Sequence, residues 1–141
     1  MKKRVMLSIE GRQSYAGQDP EIIELVTEGT MEQMADGWII SYEESDLTGM
    51  WGVTTTFAVE GKKLTLTRSG KLNSQMIFQE GVQHDSLYQM EFGALMLSVC
   101  ARKIAVDLTA DGGVIDLSYG IEIEQTEAGV IDYHLDIRTK K

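Results

Sequence analysis

The feature that most narrows the fold of this chain is a two-residue rhythm near its C-terminal end. In "GVIDLSYGIEIE" (113–124), Ile115, Leu117, Tyr119, Ile121 and Ile123 fall on one side, and Asp116, Ser118, Gly120, Glu122 and Glu124 on the other. A strand sends successive side chains to opposite faces, whereas a helix repeats every 3.6 residues, so this spacing specifies a half-buried strand. After "QTEAG" the run "VIDYHLDIR" (130–138) repeats the rhythm, with Ile131, Tyr133, Leu135 and Ile137 inward and Asp132, His134, Asp136 and Arg138 outward. Two such runs joined by a short connection containing glycine are expected to pair as an antiparallel hairpin.

The same rhythm recurs upstream. "LYQMEFGALMLSVCA" sets Leu95, Leu97 and Val99 against Ala94, Met96 and Ser98, with a bend expected near Gly93, since glycine inside a strand marks a bulge or sharp curve. "IAVDLTADGGVID" carries a turn over residues 111–113, and "WIISYEES", "MWGVTTTFAVEGKKLTLTRSG" and "QMIFQEG" read as further strands, with "VEGKK" as a tight connection. Roughly ten short strands at regular spacing describe an all-β sandwich or barrel. Hairpin following hairpin, with no long crossover, predicts an antiparallel meander, and closing it removes edges that would invite aggregation.

One segment carries two signals. In "QDPEIIELVTEGTMEQM" the triplet Asp19-Pro20-Glu21 has the form of a helix start, with an N-cap, proline at the first helical position and an acidic first turn. Against a helix stand Gly29, the β-branched Val26 and Thr27, and the alternation of Ile23, Leu25, Thr27, Gly29 and Met31. Strand is the favoured reading of 20–34, with helix as its competitor.

With 141 residues the chain fits one domain spanning 1–141, large enough for a real core. A net charge of −9 and a pI near 4.6 repel phosphate backbones, which counts against a nucleic-acid or anionic-membrane partner. The start "MKKRVMLSIEG" is basic like a signal peptide, but its apolar run from Val5 ends at Glu10, too short for one. No stretch approaches the roughly 20 apolar residues of a membrane helix. The lone Cys100 forms no internal disulfide, and a cytoplasmic protein is the expectation.

The strand motifs "ISYEESDLTG" (40–49), "TRSG" (67–70), "YQMEFGALMLSV" (88–99) and "GGVIDLSYGIEI" (112–123), in this order along nearly the whole chain, resemble the YwiB-like family. The resemblance implies a small intracellular bacterial protein of unknown function with a lipocalin-like, or calycin-like, antiparallel β-barrel of roughly eight to ten strands. It brings no activity and no functional residue.

Arg68 is the residue that asks for a role. In "LTLTRSG" (64–70) the alternation puts it on the face of Leu64 and Leu66. There its planar fork of donors could grip a carboxylate or phosphate, or could pair with an acidic residue or backbone carbonyls as a structural clamp. A buried arginine requires some partner. The neighbouring "SYEESD" supplies Tyr42, Glu43, Glu44 and Asp46, a cluster better read as solvated than catalytic. Trp38 and Trp51 read either as core or as binding surface, and so do Met6, Met31, Met34, Met50, Met76, Met90 and Met96, for which core filling is favoured.

The candidate ligand-binding set is Arg68, Tyr42, Glu43, Trp51 and Tyr88. No catalytic residue, cofactor or metal ligand is assigned: His84 and His134 lie on different strands, "DLTADGGVID" lacks the ligand spacing of a calcium loop, and "SGK" at 69–71 lacks the remainder of a phosphate loop. Two functions remain: a barrel enclosing a small amphipathic or acidic ligand, and a solid-core barrel acting as a protein-interaction or scaffold module.

Overall fold

A computed structural model describes residues 2–14, 19–44, 52–71, 73–90, 93–124 and 126–139, with backbone alone at 88, 90 and 126–128. The alternating runs form β1 (Lys2–Ser14), β2 (Glu21–Met34), β3 (Gly37–Glu43), β4 (Val53–Glu60), β5 (Lys63–Gly70), β6 (Ser74–Phe78), β7 (Gln83–Met90), β8 (Gly93–Thr109), β9 (Gly112–Ile123) and β10 (Thr126–Thr139). They lie in the order β6-β5-β4-β3-β2-β1-β10-β9-β8-β7, with antiparallel pairing throughout. The hairpin read from residues 113–138 is the β9–β10 pair, with Leu117 opposite Tyr133. The free edges β6 and β7 meet through reciprocal backbone bonds between Asn73 and Gln89 (3.2 and 2.9 Å) and a bond from the Ser86 hydroxyl to the Gln75 carbonyl. The result is an all-β, nearly closed barrel of ten antiparallel strands, which leaves little edge exposed. Among the described residues no helix is long and apolar enough to cross a membrane.

In the ambiguous segment 20–34 the chain is strand from Glu21 to Met34, because its neighbours demand it. Leu25 and Met31 face the core, and β2 pairs with β1 along nearly its whole length. Gly29, an interruption in a helix, is required in this sheet: a Cβ there would meet the Ser41 carbonyl oxygen at 2.5 Å and Leu7 Cδ1 at 2.8 Å. Gly93 departs from expectation. Instead of bending one long strand, the chain reverses, and Met90 pairs with Gly93 across a hairpin. The glycine has φ +138°, a left-handed conformation that a side chain disfavours. A bulge between Ala101 and Lys103 then shifts the phase of β8, so Leu97, Val99 and Ala101 face inward before it, and Ile104, Val106 and Leu108 pack on the core after it.

Across β3 to β6 the inward side chains stack in registered rows. Trp38, Val59, Leu64 and Phe78 form the first; Ile40, Phe57, Leu66 and Met76 the second; Tyr42, Thr55, Arg68 and Ser74 the third. Two rows are essentially apolar and the third is polar. Of the methionines, Met31 and Met76 fill the core as expected, while Met34 and Met96 are exposed. Met50 and the side chain of Met90 lie outside the described residues.

Candidate functional site

The polar third row ends the apolar stack, and beside it the barrel holds a cavity of about 280 Å³. This is the scale of one small molecule. Tyr42, Glu44, Arg68 and Tyr133 supply its polar wall, and Leu25, Met76, Leu97, Ile121 and Ile131 its apolar wall. Ile23, which is 40% exposed, also lines the cavity and marks where it reaches the surface. Gly11, paired with Tyr133, makes room for that ring: a Cβ at Gly11 would lie 3.2 Å from Tyr133 Cε1.

Arg68 comes into the cavity because β5 continues the inward row of Leu64 and Leu66. Its Nη2 donates to the Tyr133 hydroxyl at 3.5 Å, the long limit of a hydrogen bond, and its Nε is buried without a partner. The carboxylate clamp open to it in the sequence is not what the structure shows. The ion pairs among the described residues, His134–Asp116 and Arg138–Asp136, lie elsewhere. Burial works against the guanidinium charge, but the oxygens of Tyr133, Tyr119 and Tyr42 outweigh it, so its pKa lies above the ordinary arginine value. Arg68 is a fixed cation at neutral pH.

Glu43 requires correction. Its side chain is exposed, on the opposite face from Tyr42, and the inward position belongs to Glu44, which is 5% exposed. The reason is the same two-residue period: Ile40 and Tyr42 face in, so Glu44 follows, and its backbone N–H continues the ladder to the Val53 carbonyl at 2.8 Å. The Thr55 hydroxyl donates to Glu44 Oε2 at 2.5 Å, while Oε1 is buried without a partner. Burial, reinforced by the charge of Glu44, pushes the Tyr42 phenol far above its usual pKa, so Tyr42 is a neutral O–H at any working pH.

Tyr133, absent from the sequence-derived set, stood in plain view on the inward row of β10, and it stacks with Tyr119 at a centroid distance of 6.4 Å. Trp51 lies outside the described residues. Tyr88 is in β7 opposite Leu95, and its side chain is likewise outside them. Among the described residues, the buried side-chain nitrogens and oxygens without a hydrogen-bond partner are Glu44 Oε1, Arg68 Nε and Ser74 Oγ. Arg68 and Ser74 belong to the polar row, and Glu44 is bonded to it through Thr55. No three His, Cys, Asp or Glu side chains among the described residues converge as a metal site.

The comparisons with known proteins agree with the architecture. A family described as a domain of unknown function (DUF1934) matches residues 7–137. The crystal structure of the ywiB protein from Bacillus subtilis superposes with a TM-score of 0.89 at 21% identity, covering 99% of this chain and 94% of that one. The resemblance drawn from the strand motifs is therefore upheld, and at that identity the superposition speaks for the fold. No curated protein matches the chain.

Proposed function

We propose that this chain, which belongs to the DUF1934 family of unknown function, is a binding barrel that holds one small amphipathic molecule, with an acidic group of the ligand on Arg68. The observation that carries the reading is a positively charged side chain beside a cavity with its Nε buried and unpartnered. An unmet buried donor costs about 1–3 kcal/mol, and a guanidinium presents a fork shaped for a carboxylate or phosphate. The apolar lining of Leu25, Met76, Leu97, Ile121 and Ile131 suits an apolar body. The alternative of a solid barrel working only through its outer surface needs a filled interior, and at this end the interior is open. The reading assigns the protein binding and no catalytic step.

Native mass spectrometry of gently purified protein tests this directly. The expected spectrum shows a small adduct that survives native conditions, is released on denaturation, and falls at least tenfold in occupancy in Arg68→Met. A clean apo mass for the unmodified chain, or an adduct indifferent to Arg68→Met, would count against it.

A further inference from the structure

The cavity wall carries both signs of charge, and this restricts what Arg68 can hold. Glu44 and Arg68 both line the cavity, yet no ion pair joins them. The polar row explains their spacing. Thr55 stands between Tyr42 and Arg68 in register, and Glu44 leans onto the Thr55 hydroxyl at 2.5 Å. Registered neighbours on a sheet have Cβ atoms about 4.5–5.5 Å apart. The carboxyl group is therefore moored one strand away from the guanidinium, and each keeps an atom without a partner, Glu44 Oε1 and Arg68 Nε.

A ligand with only an acidic group would meet Arg68 and leave Glu44 unmatched, with two like charges crowded into one cavity. A ligand with only a cationic group would fail in the reverse sense. A ligand carrying an anion and a cationic hydrogen-bond donor a few bonds apart would match both groups at once. Both orphaned atoms are shielded from water, so engaging them requires each side chain to turn about its terminal torsions as the ligand seats.

Building on the binding reading above, we infer that the ligand is a compact zwitterion of the amino-acid type, its carboxylate on Arg68, its ammonium on Glu44, and its apolar side chain against Leu25, Leu97 and Ile131. The cavity, at about 280 Å³, takes one such molecule. The arrangement also gives the site a means of rejection: a buried polar group left without its mate costs far more than a missing methylene, so analogues lacking one charge are excluded.

The experiment is calorimetric titration of the intact chain with three matched probes: leucine, 4-methylpentanoate, which lacks the ammonium, and 3-methylbutylamine, which lacks the carboxylate. Leucine is expected to bind at least tenfold more tightly than either analogue. Glu44→Gln, which keeps the shape and can still accept from Thr55, is expected to abolish the preference over 4-methylpentanoate, and Arg68→Met the preference over 3-methylbutylamine. If 4-methylpentanoate binds as well as leucine and Glu44→Gln changes nothing, the zwitterion is overturned while an Arg68-anchored acid survives. If no probe binds, the zwitterion is overturned, and the native adduct decides the broader reading separately. The comparison of probes on the unmodified chain stands even if a variant fails to fold.

Discussion

At one end of the barrel Val5, Leu64, Phe78 and Leu135 have no exposed surface, and two-residue turns at Ala35–Asp36, Gly61–Lys62 and Ala110–Asp111 tie the strands. At the other end the same strands present Tyr42, Glu44 and Arg68 to a cavity. Both ends obey the same inward alternation, so the contrast lies in the residues placed on it and not in the strand geometry. Departures from packing rules that cost stability concentrate where a protein meets something else, and here all three orphaned buried atoms among the described residues sit in or beside that one row.

The strongest way to break this contrast is to cut an equivalent hole in each end. Leu64→Ala, in the first apolar row, is expected to cost about 4–5 kcal/mol, since it removes a side chain with no exposed surface and leaves a void that close-packed neighbours cannot fill. Leu25→Ala, in the cavity wall, is expected to cost about 2 kcal/mol, because one side of that leucine already faces open space. Urea unfolding of both variants measures the difference. Equal losses would mean that the cavity end is as tightly packed as the other.

Much of this architecture was legible in the chain because alternation is a local signal. It placed Ile115 through Ile121 and Ile131 through Ile137 on inward faces, missing only that Ile123 at the end of its run is exposed, it favoured strand over helix for 20–34, and it put Arg68 in line with Leu64 and Leu66. The hairpin ending at Gly93 was harder to see, because the alternation of Leu95, Leu97 and Val99 sits close behind Leu87 and Met90, and a single glycine is as consistent with a bend as with a reversal. Glu44 was within reach: extending Ile40 and Tyr42 by one step selects it, whereas reading "SYEESD" as a charge cluster pointed to Glu43. The meeting of Arg68 with Tyr133 was not within reach. These residues are 65 positions apart, and their approach depends on how the barrel closes, which local periodicity does not carry.

Ser74→Ala sharpens the contrast with a smaller effect of opposite sign. The Ser74 hydroxyl is buried, unpartnered, and opposite Arg68 in register. Trimming it removes an unmet polar group without touching a charge. The variant should be more stable by about 1 kcal/mol, read as a higher urea midpoint with unchanged slope. A loss of stability would show that the hydroxyl is satisfied, and the polar row would no longer count as a cost to the fold.

The smallest effect belongs to the outer face, which both ends share and which serves as the reference. His134 Nδ1 lies 2.5 Å from Asp116 Oδ1 on the paired strands β9 and β10, with both side chains more than 40% exposed. The hydrogen bond to Asp116 is the leading cause of a raised His134 pKa. A histidine whose pKa is higher folded than unfolded gives stability that is complete below the unfolded value of about 6.5 and is lost as pH climbs through the folded value. Solvent screening limits an exposed pair of this kind to about 0.2–1 kcal/mol. His134→Gln should therefore cost that amount at pH 5.5 and nothing measurable at pH 9, and the acid-side cost should shrink in high salt. A penalty of several kcal/mol, or one that grows with pH, would mean that the outer face holds the barrel together as strongly as its interior, and the difference between the two ends could no longer be assigned to the residues facing inward.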